Sequence, residues 1–307
     1  MTRVIVIGGA NVDVKGRSRG AFVGGTSNIG EVAVTPGGVG RNIAENLARL
    51  GVDVALMAHV GDDANGRMVV EACRGAGVET GLIETCAAPT GVYLAILDGH
   101  GEMVAAVNDM RAADAMTVSH LAAKADQLAA AAMLVADCNI PVESLAWLCG
   151  FAADKGVRLV IEPISIAKAR KLFAFERKAP VYAITPNLQQ LNELTGIADM
   201  DKAVARLHAL GFANVVVHCG KDGALVSDGR TPAVAIPAFG AIDIADVTGA
   251  GDAAVAGLVS GLAEGRTLAE AARMGQAAAA LKLRSRKSVS DVISRASVLA
   301  LAGLPGG

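Results

Sequence analysis

The sequence predicts an α/β protein: a three-layer α/β/α body around a mostly parallel central sheet, with a small antiparallel β lid. Three observations carry this. From about residue 115 onward, helix-like and strand-like stretches alternate, the pattern of parallel strands covered by helices. The run Val4–Gly8 is apolar without interruption, as a strand buried on both faces requires. Two short β-like runs, 92–97 and 102–107, are joined by Asp98-Gly-His-Gly101, a hairpin signal outside that alternation. Residues 1–307 read as one domain, with lid segments at about 14–36 and 90–110.

The Val4–Gly8 strand runs into Gly9-Ala-Asn-Val-Asp13. If the backbone stays extended, Asn11 and Asp13 share a face, because strand side chains alternate. A carboxylate beside an amide suits a sugar diol; the alternative is an Asx turn. Residues 16–37, rich in Gly, Ser and Thr, read as turns and a short exposed strand pair. Pro36-Gly-Gly-Val-Gly-Arg-Asn42 opens a helix with Ile43, Leu47 and Leu50 on one face and Gly51 at its end. Gly37 and Gly38 free the amides at its entrance, and Asn42 lies one turn in. A strand over 52–61 and a helix over 62–77, capped by Asp62 or Asp63, come next. Helices are then expected at 117–130, 143–155, 165–174, 187–196, 200–210, 249–264 and 267–284. Strands are expected at 133–137, 157–161, 181–184, 214–218, 223–227 and 233–236. Ligands on such sheets bind beyond the strands' carboxyl ends. Asp137-Cys-Asn139, Glu162-Pro163, Thr185-Pro-Asn187 and His218-Cys-Gly220 fall there. The Gly/Pro tail after Leu301 reads as frayed coil.

The richest stretch is Asp246-Val-Thr-Gly-Ala-Gly-Asp252, followed by an apolar run to Ala263. Thr248 to Asp252 should lie where extended chain gives way to a helix. Glycines there permit close approach of a ligand, and the first helix amides have no internal partner. That makes an anion site. An acid inside it makes sense if Asp252 takes a proton from an attacking hydroxyl while the amides hold charge on the transferred group. The alternative is a helix start whose dipole favours an acid. Gly249-x-Gly251-x-x-Ala254 also fits a dinucleotide fingerprint, but it lies in the last fifth of the chain with Asp252 inside it. That oxidoreductase reading would be revived by bound NAD. No G-x-x-x-x-G-K-[ST] is present, which excludes a P-loop.

Composition bounds the rest. The chain is 52% apolar but 3% aromatic, so its core is built from Ala, Val, Leu and Ile. A net charge of −2 gives no reason to expect a nucleic-acid or membrane partner. The five cysteines form no C-x-x-C pair, which suggests reduced thiols. The first apolar patch, Val4 to Ile7, is too short for a signal peptide, and no 18-residue uncharged apolar run exists. A cytoplasmic protein is expected. The five histidines are too dispersed to read as a metal site, and Met110 and Met116 read as packing. Lys282 to Lys287 reads as a solvated helix end or a phosphate neighbour.

Two motifs carry a resemblance that covers nearly the whole chain. Gly37-Gly-Val-Gly-Arg-Asn42 resembles the N-terminal di-glycine motif of the ribokinase-like (PfkB) family of carbohydrate and nucleoside kinases. Asp246 to Asp252 resembles its C-terminal motif, in which the last Asp is the catalytic base. Asn11-Val-Asp-Val14, Thr35 to Ala44, Gly101 to Met110, Val135 to Ile140 and Glu162 to Ser165 are similar to the branch that phosphorylates pseudouridine.

The resemblance implies transfer of phosphate from ATP to the ribose 5′-hydroxyl. Asp252 would be the base, and the amides of Gly249, Ala250 and Gly251 would hold the transferring group. Asp13, Gly37, Gly38 and Asn42 would hold the ribose; Asn11, Asn108, Asn139 and Lys168 would contact the base or ribose rim. ATP would lie across Asn187, Gly220, Lys221 and Gly223, with Thr248, Gly249 and Gly251, near a loop around Ala277 to Lys282. Mg²⁺ would bridge the phosphates mostly through water, and K⁺ would sit near Asp246 and Thr248. A homodimer through the lid is also implied. One departure stands out: the family's N-x-x-E motif would place an acid at 190, where Asn187-Leu-Gln-Gln190 has an amide. A weaker Mg²⁺ response, or compensation by Glu193 or Glu162, is expected. The open alternatives are a kinase for ribose or another nucleoside, and a sugar-binding regulator without catalysis.

Overall fold

The computed structural model describes residues 3–176, 180–240 and 243–306. Strand β1 (Val4–Ile7) enters the main sheet, and the chain continues into β2 (Asn11–Ser18) and β3 (Gly30–Gly37) of a smaller one. The body resumes with α1 (Val39–Arg49), β4 (Val54–Gly61), α2 (Ala64–Gly75) and β5 (Ile83–Cys86). Strands β6 (Gly91–Leu97) and β7 (Met103–Asp109) complete the smaller sheet. A 3-10 turn, Arg111–Ala115, leads to α3 (Val118–Ala123), α4 (Ala125–Ala129), β8 (Met133–Asp137) and α5 (Val142–Lys155). Then come β9 (Arg158–Glu162), α6 (Ile166–Ala169), β10 (Val181–Ile184), α7 (Leu188–Thr195), α8 (Met200–Ala209) and β11 (Phe212–His218). The last elements are β12 (Ala224–Ser227), β13 (Val234–Ile236), α9 (Ala250–Ala263), α10 (Leu268–Leu283) and α11 (Arg295–Ala302).

Among the described residues the main sheet has nine strands in the order β13-β12-β11-β10-β9-β8-β1-β4-β5. It is parallel from β5 to β11, and β12 and β13 add antiparallel. Alternation along β1 shows why the run is wholly apolar. Val4 and Val6 face a core shared with α1, α9, α10 and α11, whereas Ile5 and Ile7 face one shared with α3, α5, α7 and α8. Helices α9 and α10 meet through small residues: a Cβ on Gly257 would lie 2.6 Å from the Met274 carbonyl, and one on Gly275 2.5 Å from that of Ala254. No helix among the described residues is long and apolar enough to cross a membrane.

The smaller sheet has the order β3-β2-β6-β7, with β2 and β6 parallel and the outer pairs antiparallel. It differs from expectation at 16–37: β2 and β3 are long and pair at eight registers. Most of β3 is exposed, so no apolar alternation marks it. Strand β5 and helix α11 also lack a sequence signal of their own. The first is a four-residue edge strand, and the second depends on a capping box between Ser294 and Ser297. The helix expected over 117–130 breaks at Lys124, and the one over 165–174 becomes α6 plus a 3-10 turn.

Candidate functional site

The site grows from the carboxyl ends of β1 and β8. Asp137, the last residue of β8, is fully buried. Its carboxylate accepts from the amides of Gly9 at 2.8 Å, Gly40 at 2.8 Å and Asn139 at 2.9 Å. Burial raises its pKa, and those bonds oppose the rise. The two glycine turns press on this carboxylate and on each other. A Cβ on Gly8 would lie 2.3 Å from Asp137, and one on Gly38, at φ +98°, 2.4 Å from the Gly9 carbonyl. The di-glycine turn is therefore a close approach of two backbones before it is anything else.

Asn11 and Asp13 do share a face: the Asn11 amide donates to Asp13 Oδ1 at 2.8 Å. The Asp13 carboxylate lies over Gly37, where a Cβ would stand 2.3 Å from it. Burial raises the Asp13 pKa; Asn11, Lys15 and Arg41 pull the other way. Asn42, one turn into α1, donates from Nδ2 to Asp252 Oδ2 at 2.6 Å, joining motifs 210 residues apart. Asp252 is pushed up to about 7, chiefly by burial. The Asn42 hydrogen bond opposes this, while Asp137 and Asp13 add like charge. Helix α9 starts beneath it, with Gly249 as N-cap at φ +83°. A Cβ on Gly249 would strike the Ser288 carbonyl at 2.1 Å, whereas one on Gly251 would meet nothing within 4 Å. Space at Gly251 is free for a ligand.

Two clefts flank this centre. One, of about 370 Å³, is lined by Asn108, Asp109, Met110, Arg111, Asn139 and Lys168, among others. Three expected substrate contacts, Asn108, Asn139 and Lys168, thus meet in one place. The Lys168 ammonium donates to Asn139 Oδ1, and burial lowers its pKa. Met110, expected as packing, also borders this cleft; a Cβ on Gly91 would lie 3.1 Å from both its sulfur and the Asn11 Cβ. The other cleft, of about 460 Å³, has Gly220, Lys221 and Gly223 at one side and Ala250, Gly251 and Ala254 at the other. Phe239, Ile244, Val247 and Leu283 supply an apolar wall. The residues expected as a loop, Ala277 to Lys282, lie within helix α10, and Gln276, Ala279 and Ala280 face this cleft. Asn187 and Thr248 are not among its lining residues. Asn187 instead caps α7, accepting from Gln190 N at 2.8 Å, and bridges to His218. His218, at a strand end where ligands were expected but given no role there, lines the cleft with its Nε2 unpartnered; burial lowers its pKa to about 4, so it is neutral.

The segment around Asp246 and Thr248 holds two ammonium groups. Lys15 of β2 lies 3.4 Å from Asp246 Oδ2 and 3.4 Å from Thr248 Oγ1. Lys282 is fully buried and donates to the carbonyls of Asp246 at 2.7 Å and Ser285 at 3.0 Å. The solvated helix end expected at Lys282 is thus corrected: its ammonium is an internal strut, because α10 runs under the motif. Gln190 completes a capping box with Asn187, and Glu193 is paired with Arg170 at the surface. Glu162 is the acid that reaches the centre. It accepts from Thr185 Oγ1 at 2.5 Å and from Ile164 N at 3.0 Å. Burial pushes it up to about 8, with Asp252 and Asp137 contributing. Ile164 sits at φ +68°, a left-handed conformation costly for a branched residue and held here by that bond.

Residues 1–294 match the pfkB family of carbohydrate kinases. The chain is 35% identical to pseudouridine kinase of Escherichia coli (strain K12), covering 97% of this chain and 96% of that one. It superposes on a carbohydrate kinase from Agrobacterium tumefaciens with a TM-score of 0.86 at 34% identity, covering 99% and 98%. Arabidopsis thaliana ribokinase complexed with ribose and ATP shares the fold, with a TM-score of 0.85 at 22% identity, covering 99% of both chains. The Asn42–Asp252 contact joins the two motifs that first suggested it, and the chain belongs to the pfkB family of carbohydrate kinases.

Proposed function

We propose that this chain phosphorylates pseudouridine at the ribose 5′-hydroxyl with ATP, giving pseudouridine 5′-phosphate and ADP. Family membership makes it a phosphotransferase with an alcohol acceptor. The observation that carries phosphoryl transfer is the Asn42–Asp252 contact above the open backbone at Gly251; the choice of pseudouridine rests on the 35% identity to a pseudouridine kinase. Asp252 takes the 5′-hydroxyl proton; O5′ bonds to the γ-phosphorus as the bond to the β–γ bridging oxygen breaks, and ADP leaves. The amides of Gly249, Ala250 and Gly251 hold the charge on the moving phosphoryl group. Asp13, Gly37, Gly38 and Asn42 hold the ribose diol. Asn11, Asn108, Asn139 and Lys168 read the base edge, whose N–H and carbonyl groups match amides and an ammonium. The 460 Å³ cleft takes the nucleotide, its apolar wall against adenine and Lys221 toward the phosphates.

The acids present fit Mg²⁺, since Glu162, Asp252 and Asp137 repel one another at the centre. When bound, the ion would supply positive charge to the phosphate oxygens, mostly through water. Glu162 would hold that water, in place of the acid missing at 190. For the monovalent cation we read the two ammonium groups as substitutes: Lys282 already occupies the Asp246 carbonyl, and Lys15 approaches Asp246 and Thr248. We also read the protein as cytoplasmic, and as a homodimer closing through the smaller sheet as a lid. Val32 is 73% exposed there and Val107 67%, apolar area that a second copy would cover.

ADP release is to be measured against pseudouridine, uridine, ribose and adenosine, with Asp252→Asn as control. A signal with pseudouridine alone, lost in the variant, supports substrate and base together. A signal with ribose or uridine keeps the mechanism and moves the substrate. Silence throughout, with ATP still bound, favours the non-catalytic regulator.

A further inference from the structure

Three residues dispersed in sequence meet at one edge of the main sheet. His59 lies near the carboxyl end of β4, Glu84 on β5 and His120 on α3. Their ligand atoms all lie within 4.8 Å of one another. His59 is 5% exposed, and neither of its ring nitrogens has a hydrogen-bond partner. A buried imidazole with both nitrogens bare is costly and asks for an occupant. The neighbours are arranged to supply one. The His120 and His59 rings meet edge to face with centroids 4.7 Å apart. His120 Nδ1 is engaged by Thr117 Oγ1 at 2.8 Å, which leaves Nε2 facing Glu84 Oε2 at 4.0 Å. Lys124 holds the other oxygen, Oε1, at 3.0 Å.

We propose that His59, Glu84 and His120 form a divalent-metal site of the zinc class, with a water as fourth ligand. Two imidazoles and one carboxylate are a borderline-soft set that suits Zn²⁺. Donors around a tetrahedral Zn²⁺ stand roughly 3.3 Å apart, given Zn–N bonds of about 2.0–2.1 Å. The triad therefore closes by about 1.5 Å at its widest separation, which rotation of the partly exposed Glu84 and His120 side chains supplies. Thr117 then acts as the outer partner that fixes the His120 tautomer. The site ties α3, on the segment that leaves β7 of the smaller sheet, to the β4–β5 edge of the main one. It is independent of the phosphoryl-transfer reading, since none of its ligands lines either cleft.

The test uses the full chain, stripped with chelator and free of nucleotide. Zn²⁺ is titrated calorimetrically, and Co²⁺ is added as a visible-absorbing probe of tetrahedral nitrogen and oxygen ligation. Wild type should take up about one ion more per chain than His120→Ala or Glu84→Gln, and its Tm should rise with Zn²⁺. The two variants should lose this uptake and the Tm response, and Thr117→Val should weaken it by ~10–100-fold. Glu84 and His120 are surface-side, so these variants fold even if His59→Asn does not. No Zn²⁺ uptake by wild type would mean that a water alone serves His59 and would overturn the site. Equal uptake and equal Tm response in wild type, His120→Ala and Glu84→Gln would overturn it too.

Discussion

Replacing Asn42 by alanine tests how the fold sets the basicity of Asp252. Burial and the carboxylates of Asp137 and Asp13 push Asp252 up to about 7; the 2.6 Å bond from Asn42 is the largest influence in the other direction. A hydrogen bond to a charged group contributes roughly 1.5–3 kcal/mol, and one pKa unit corresponds to about 1.4 kcal/mol. Removing the donor should therefore raise the Asp252 pKa by about one to two units. The base must be ionised to act, so kcat/KM of the wild type rises with pH through a midpoint near 7. In Asn42→Ala the midpoint should move to about 8–9. At pH 7 the ionised fraction then falls by roughly 5- to 50-fold and recovers in alkali. Loss of a ribose contact alone would depress kcat/KM equally at every pH. The assay is ADP release at subsaturating nucleoside across the pH range, with circular dichroism to verify folding. An unmoved or lowered midpoint would refute the assignment of Asn42 as the group that holds Asp252 ionised.

Other substitutions separate fold from chemistry. Gly251→Ala should fold normally, because its Cβ meets nothing, yet lose phosphoryl transfer; Gly249→Ala should lower stability by ~1–3 kcal/mol in urea unfolding, because of its φ and the Ser288 carbonyl. Exchange of K⁺ for Na⁺ should leave the wild-type rate unchanged, and Lys282→Met should lose activity, since an uncompensated carbonyl pair remains behind; a K⁺-dependent wild type would count against the substitute-cation reading. Val107→Asp should give a monomer by light scattering if the smaller sheet is the dimer contact. Gln190→Glu should sharpen the response to Mg²⁺, and an unchanged Mg²⁺ titration would argue against a missing acid at 190.

What could be read in the sequence was what local backbone chemistry prints there. A glycine forced to φ +83° at a helix start, or two glycines where backbones touch, leaves glycines at fixed spacing, so Gly37-Gly38 and Gly249-x-Gly251 were legible. Strand alternation placed Asn11 beside Asp13, and uninterrupted apolar runs marked the buried strands. Long-range packing decided the rest. The contact between Asn42 and Asp252 spans 210 residues and has no local trace. Lys282 sits in a run of charges that looks solvated, and only the path of α10 beneath Asp246 turns it into a buried strut. The elevated pKa values of Asp252 and Glu162 come from burial and from carboxylates on other strands and on α9. His59, Glu84 and His120 looked dispersed because sequence distance says nothing about which strand edge a helix will cover. Local geometry determined the motifs; burial and electrostatics, which sum over the whole fold, decided what the motifs can do.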